Sequence, residues 1–212
     1  MKIKLLILSI IISSSLMAQD FQGMITYKLS YELPGDLQAM ASILPSKTIM
    51  MYRDNVSKSV TDNEATGGTT IVYTDNETGE TLMLMNTGKD KFAIKNNFKE
   101  SEEGTPEYKK TGEKKEIAGY SCEVAETEYE GTIIQVCYTK ELPSIHTENS
   151  SGLEGFPLEI VIENEQMTRT QVVVDIQEGA IEELTLEIPD GYQLFTKEEW
   201  LKKMQAGMSI GM

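Results

Sequence analysis

Few residues in this chain are suited to chemistry. It has two cysteines, Cys122 and Cys137, one histidine, His146, and twelve methionines in 212 residues. Both cysteines fall in GYSCEVAETEYEGTIIQVCYTKEL, residues 119–142, where apolar and polar residues alternate on either side of Tyr129-Glu130-Gly131. Such a pair can be a redox or metal site, a disulfide across a hairpin, or two unconnected packing residues. No CxxC spacing is present, and nothing in the flanking sequence would activate a thiol or complete a coordination shell.

Register decides between the other two. With 129–131 as a three-residue loop and Gly131 in the left-handed position, Glu128 pairs with Thr132. Tyr120, Cys122 and Val124 then share an apolar face with Ile134, Val136 and Tyr138, and Cys137 turns to the other face. A two-residue loop or a bulge reverses this and lets the thiols meet, with a poorer match of apolar faces. Cys122 and Cys137 are therefore a disulfide candidate under the second register only, and the apolar match favours the first.

The remaining chemistry is sparse. His146 lies in LPSIHTENSS with no GxSxG elbow nearby, and it reads as an exposed loop residue rather than a general base. Met50, Met51, Met83 and Met85 are close enough in sequence to raise copper(I), which soft thioethers select. Met83 and Met85 alternate with Leu82 and Leu84, however, and read better as packing residues of a strand buried on both faces. Neighbouring acids such as Glu182 and Glu183 are expected among 34 carboxylates, and adjacent strand residues face opposite ways. TDNEATGG and TDNETGE read as Asx-type turns, since neither completes a twelve-residue calcium loop. No catalytic residue, metal site or cofactor is expected.

The elements that would carry any site are mostly strands. FQGMITYKLSY alternates Phe21, Ile25, Tyr27, Leu29 and Tyr31 against Gln22, Thr26, Lys28 and Ser30. KTIMMYRD, VSKSVTD, GTTIVYTD, ETLMLMN and KFAIK follow, each bounded by Asn, Asp or Gly. KESEEGTPEYKKTGEKKE, residues 99–116, is charged enough for an exposed loop or an edge hairpin. PLEIVIEN and MTRTQVVVDIQ form a strand pair about Asn164-Glu165, and IEELTLEIP reads as a last strand. In DLQAMASILP, residues Leu37, Met40, Ala41 and Leu44 recur at helical spacing before Pro45. TKEEWLKKMQA opens with Thr196 and Glu199 as a capping box. The expected fold is mostly β (α+β). It is a curved antiparallel sheet or unclosed β-barrel of about ten or eleven strands, with short helices capping the concave side.

Composition limits the partners. MKIKLLILSIIISSSLMAQD has the lysines, apolar run and small residue of a secretory signal peptide, with cleavage expected near Ala18. Its apolar run is too short for a membrane span. Without residues 1–18 the chain keeps 17 basic and 34 acidic residues, a formal charge of −17. That charge disfavours nucleic acid and anionic membrane faces as partners. Residues 19–212 suit one domain in the periplasm or outside the cell.

EIAGYSCEVAETEYEGTIIQVCYTKEL combines an I-x-G-Y-x-C opening, a hairpin and a YTK-E-L exit. With FQGMITYKL before it, and GFPLEIVIENEQMTRTQVVVDIQEG and LEIPDGYQLFT after it, the segment order resembles the domain of unknown function 4412 family of Bacteroidetes envelope proteins. That family is similar in fold to the LolA/LolB lipoprotein carriers. The resemblance implies a non-catalytic carrier or binding module whose helix-capped concave face holds lipid acyl chains. No carrier residue maps onto this sequence one by one. Ligand-cavity candidates are Ile25, Tyr27, Leu29, Leu37, Met40, Met50, Met83, Met85, Phe92 and Trp200. On composition alone the same residues fill an ordinary core. The alternative function is then an envelope protein–protein interaction or structural domain without a small-molecule ligand.

Overall fold

The computed structural model describes residues 21–99, 106–129, 131–145, 150 and 152–210. The expected signal peptide and His146 lie outside the described residues. Among the described residues, twelve strands form one curved, unclosed sheet, accompanied by two short helices. The strands are β1 (Gly23–Glu32), β2 (Lys47–Arg53), β3 (Val56–Asn63), β4 (Gly68–Asp75), β5 (Glu80–Asn86) and β6 (Lys91–Asn97). They continue with β7 (Lys109–Ile117), β8 (Tyr120–Tyr129), β9 (Thr132–Thr139), β10 (Phe156–Glu163), β11 (Thr168–Glu178) and β12 (Gln193–Thr196). In space the order is β12-β6-β5-β4-β3-β2-β1-β11-β10-β9-β8-β7. Two meanders, β1–β6 and β7–β11, are thus joined side by side through the antiparallel β1–β11 ladder.

Alternation in the sequence sets the faces. Ile25 pairs with Met50 and Tyr27 with Thr48, which defines an inner face for β1 and β2. Ile25 and Tyr27 are fully buried there, in a core shared with Tyr52, Phe156, Leu158 and Val173. The Tyr27 hydroxyl donates to the Pro157 carbonyl on β10 at 3.1 Å. Strands lie about 4.8 Å apart, and β10 is two strands from β1, so this bond reports how strongly the sheet curls. Burial pushes the Tyr27 phenol far above its usual range, which keeps it neutral and donating.

The turns follow local polar chemistry. Asn63 Oδ1 accepts from the Ala65 and Thr66 amides, and Asp75 Oδ1 accepts from those of Glu77 and Thr78. Burial alone would raise the Asp75 carboxyl. The Thr78 and Glu77 amides, the Thr78 hydroxyl and the Lys99 charge outweigh it and hold Asp75 below the usual carboxylate range. The charged 99–116 segment supplies β7, an edge strand carrying four lysines and a bulge between Lys110 and Lys114, features that discourage edge-to-edge pairing.

Two segments differ from the sequence expectation. IEELTLEIP is not a strand. It runs as an extended strap whose Leu186 and Ile188 pack with Tyr192 against Leu82, Leu84 and Ala93 on the outer face of β5 and β6. Arg53 fastens its start by donating from Nη1 to the Ile181 carbonyl at 2.9 Å. Period-two alternation reports which side chains face a surface, whether or not the backbone joins a ladder. The segment at Gly35–Ile43 is a 3₁₀ helix between Pro34 and Pro45, with no buried residue. Its Leu37, Met40 and Ile43 stay exposed.

Helix α1 (Lys197–Ile210) begins with the expected capping box. Glu199 Oε2 accepts from the Thr196 amide at 2.9 Å, and the Thr196 hydroxyl accepts from the Glu199 amide at 3.2 Å. Thr196→Ala should cost about 1 kcal/mol of helix stability. Trp200 is the one tryptophan of the chain, so its emission should shift to the red as the first turn loosens. Unchanged emission and an unchanged thermal midpoint would show that something other than this cap seats the helix.

Candidate functional site

The inner face continues without a register shift from β2 to β6. One row runs Met50–Ser59–Val72–Met83–Ile94 and reaches Phe195 on β12. A second holds Thr61, Thr70, Met85 and Phe92, and a third Ser57, Thr74, Thr81 and Asn96. Across β3–β6 these rows contain no charged side chain, in a chain that is 25% charged. The outer face of the same strands carries Lys58, Asp62, Lys91 and Lys95. Such segregation leaves an uncharged surface on which Val72, Met83, Met85, Phe92 and Ile94 form an apolar patch among hydroxyls and one amide.

Where that surface is open matters most. Ile25, Tyr27, Leu29 and Met50 are buried, and the other strands fill the space against them. Val72, Met85 and Phe92 are half-buried, and Met83 is 36% exposed at the centre of the uncharged face. The two leucines alternating with these methionines are buried under the strap. The expectation of a strand buried on both faces therefore fails for β5. Its outer face is sealed and its inner face is open.

An aromatic platform bounds this surface. Phe92 on β6, Phe195 on β12 and Trp200 on α1 have ring centroids 5.0 to 6.1 Å apart in tilted arrangements. Nζ of Lys203 stands 5.5 Å from the Phe92 centroid and 5.2 Å from that of Phe195. The capping box starts α1 directly after β12, and this places the platform beside the open methionines. Sequence periodicity flagged Phe92 and Trp200, but Val72, Phe195 and Lys203 were missed. The parallel β12–β6 pairing that brings Phe195 in has no local sequence signal.

The ten cavity candidates thus separate into three groups. Ile25, Tyr27, Leu29 and Met50 sit in the filled core, while Met83, Met85, Phe92 and Trp200 come together on the open inner face. Leu37 and Met40 lie exposed on the 3₁₀ helix. Met50 and Met51 point to opposite faces of β2, and Met50 is separated from Met83 by β3 and β4, so the four methionines raised for copper do not converge. Among the described residues, no group of three or more His, Cys, Asp and Glu could hold a metal. A surface depression of about 280 Å³ lies elsewhere, lined by Leu44, Lys47, Ile49, Val60, Asp62 and Glu64, and its charges separate it in character from the inner face.

Cys122 and Cys137 are joined in a disulfide with a Cα–Cα distance of 5.4 Å. The favoured register is corrected here. Tyr129 pairs with Thr132, leaving a two-residue connection with Gly131 at φ +76°. Val124 then opposes Cys137, and Cys122 reaches it along the diagonal. Apolar matching misled because β8 and β9 are buried on both sides. Cys122, Val124 and Cys137 face one core cluster, and Ala125, Val136 and Tyr138 face another.

No protein-family model and no curated protein sequence matches this chain. The resemblance to the envelope family rests on motif order alone. Among solved structures, PNGF-II in its P21 and C2 crystal forms matches with TM-scores of 0.58 and 0.55 at 16% identity. The alignments cover 87% and 86% of this chain and 33% and 32% of that one, so this chain spans about a third of PNGF-II's length. At such identity the likeness is one of fold. The Mycobacterium tuberculosis lipoprotein LppX overlaps at a TM-score of 0.37 and 11% identity, over 77% of this chain and 89% of its own. LprF from Mycobacterium bovis overlaps at 0.34 and 11%, over 81% and 90%. Overlaps that loose do not assign a shared fold. Among the described residues, no helix is long and apolar enough to cross a membrane.

Proposed function

We propose that this chain is an exported, non-catalytic binding or carrier module that takes a hydrophobic ligand, such as a lipid acyl chain, on the inner face of β3–β6. The observation that carries the reading is Met83, 36% exposed in the middle of an uncharged face rimmed by Phe92 and Trp200. Unbranched thioethers adapt to chains of varied shape. Burying apolar surface contributes about 25 cal/mol per Å², so affinity needs no catalytic group. Residues 19–212 act as one domain in this reading, released into the periplasm or beyond after cleavage near Ala18.

Native mass spectrometry after gentle purification should reveal co-purified lipid. Met83→Glu should weaken binding of a fluorescent fatty acid at least about tenfold, because the chain would then have to desolvate a carboxylate. A protein that carries no lipid and ignores the fluorescent fatty acid would sink the proposal.

The filled core of Ile25, Tyr27, Leu29 and Met50 favours a second reading. In it the domain acts through protein–protein contacts in the envelope and has no small-molecule ligand. Failure of the lipid experiments, together with an intact fold, would favour that alternative.

A further inference from the structure

We infer that the ligand of the inner face is an anionic amphiphile, its apolar chain on Val72, Met83 and Met85 and its head group held by Lys203. The inference rests on the hydrophobic-ligand reading above and adds the chemistry of the other end of the molecule.

The argument starts from where cations are placed. Across β3–β6 the inner face offers hydroxyls, amides, thioethers and rings but no charge. A ligand with an ionised head lying wholly on that face would leave the head without a counter-charge. Lys203 stands at its margin, with its ammonium over Phe92 and Phe195. Phe92 is the cross-strand partner of Met85, so the cation sits one residue pair from the half-buried thioether of Met85.

That ammonium is available. On an α-helix the natural partner of Lys203 is the acid four residues before it, Glu199. Glu199 is instead committed to the cap, accepting from the Thr196 amide at 2.9 Å. Among the described residues the ion pairs are Arg53–Asp54, Lys110–Glu123, Lys114–Glu123 and Lys115–Glu159. Lys203 stands over two rings, which tethers the ammonium, and the side chain remains exposed to a further partner. The whole chain has a formal charge of −15, so its net field repels an anion. A local cation beside the uncharged face is therefore what admits an acidic head group and fixes which way the chain lies.

Carboxylates and phosphates share this chemistry, and the test separates them. Laurate, dodecyl phosphate and uncharged dodecanol are titrated against the full-length protein, its Lys203→Gln variant and its Lys203→Arg variant, by Trp200 fluorescence and calorimetry. Lys203 is exposed, so both substitutions should leave the fold intact. The anions should bind wild type more tightly than dodecanol. Lys203→Gln should lose roughly fivefold for the anions and nothing for dodecanol, the scale of a partly exposed ion pair. Lys203→Arg should keep the anion preference. A larger loss for laurate identifies a fatty acid as the class, and a larger loss for dodecyl phosphate identifies a phospholipid head. Equal binding of all three probes, unchanged in Lys203→Gln, overturns the inference and leaves the hydrophobic-ligand reading standing. Binding of none removes both.

Discussion

Tyr27→Ala will destabilise the fold by about 3–5 kcal/mol, the range for removing a fully buried aromatic ring. A domain of this size has about 5–15 kcal/mol in all, so the variant should be largely unfolded under mild denaturation. Tyr27 lies at the centre of the sheet, with neither side chain nor backbone reaching solvent. Its ring fills the space between β1 and the strands curling over it, and its hydroxyl joins β1 to the Pro157 carbonyl across β11. Tyr27→Phe separates the two contributions. It keeps the ring and should cost only about 1–2 kcal/mol, the penalty for a buried carbonyl that loses its donor. Urea unfolding followed by circular dichroism reads both. An alanine variant within about 1 kcal/mol of wild type would mean that the site collapses around the gap and that this core is not continuous.

The second large effect belongs to the disulfide. Closing a sequence separation of 15 residues restricts the unfolded chain by about 3 kcal/mol in the chain-entropy account. Reduced and oxidised protein should differ by about that amount in urea. Reduction itself should be slow, because both cysteines are almost wholly buried and a reductant reaches them only after local opening. Brief dithiothreitol treatment of the native protein should leave the bond intact, while the same treatment in urea breaks it. Coincident unfolding curves for the two forms would show that the hairpin is already ordered in the unfolded state. A persistent disulfide suits an oxidising compartment.

Much of this architecture was legible in the sequence, for a physical reason. β2 to β6 are antiparallel strands joined by short, polar turns, so alternation, Asx chemistry and glycine mark each one locally. The capping box at Thr196 is likewise a signal four residues long, and it is formed as read. What could not be read depends on partners distant in sequence. The Cys122 register was misjudged because alternation selects a register only where one face is wet, and β9 buries four consecutive residues, Val136 to Thr139. The strap at Leu186 and Ile188 imitates a strand because lying on a sheet and pairing within one demand the same side-chain pattern. For the candidate site, the open inner face was half visible. Met83, Met85, Phe92 and Trp200 were singled out together with core residues of the same face. Burial alone separates them, and burial depends on how the second meander curls. Gly155 illustrates that limit. A Cβ there would come within 2.6 Å of the Thr139 carbonyl and 2.7 Å of the Tyr138 ring, a constraint invisible without β9 beside it.

The β1–β11 ladder also sets an order of events. Gly23 pairs with Glu178 and Glu32 with Thr168, so the second neighbour of β1 is nearly the last long strand to be made. β1 through β6 can assemble from contacts between consecutive strands, but Ile25 and Tyr27 lack most of their core partners until β8 to β11 fold over them. Pairing across such a separation must offset a large loop-closure entropy, which slows folding and lengthens the life of a half-formed sheet. The first meander therefore waits with its apolar face uncovered, and that interval is when this chain is most exposed to misassociation.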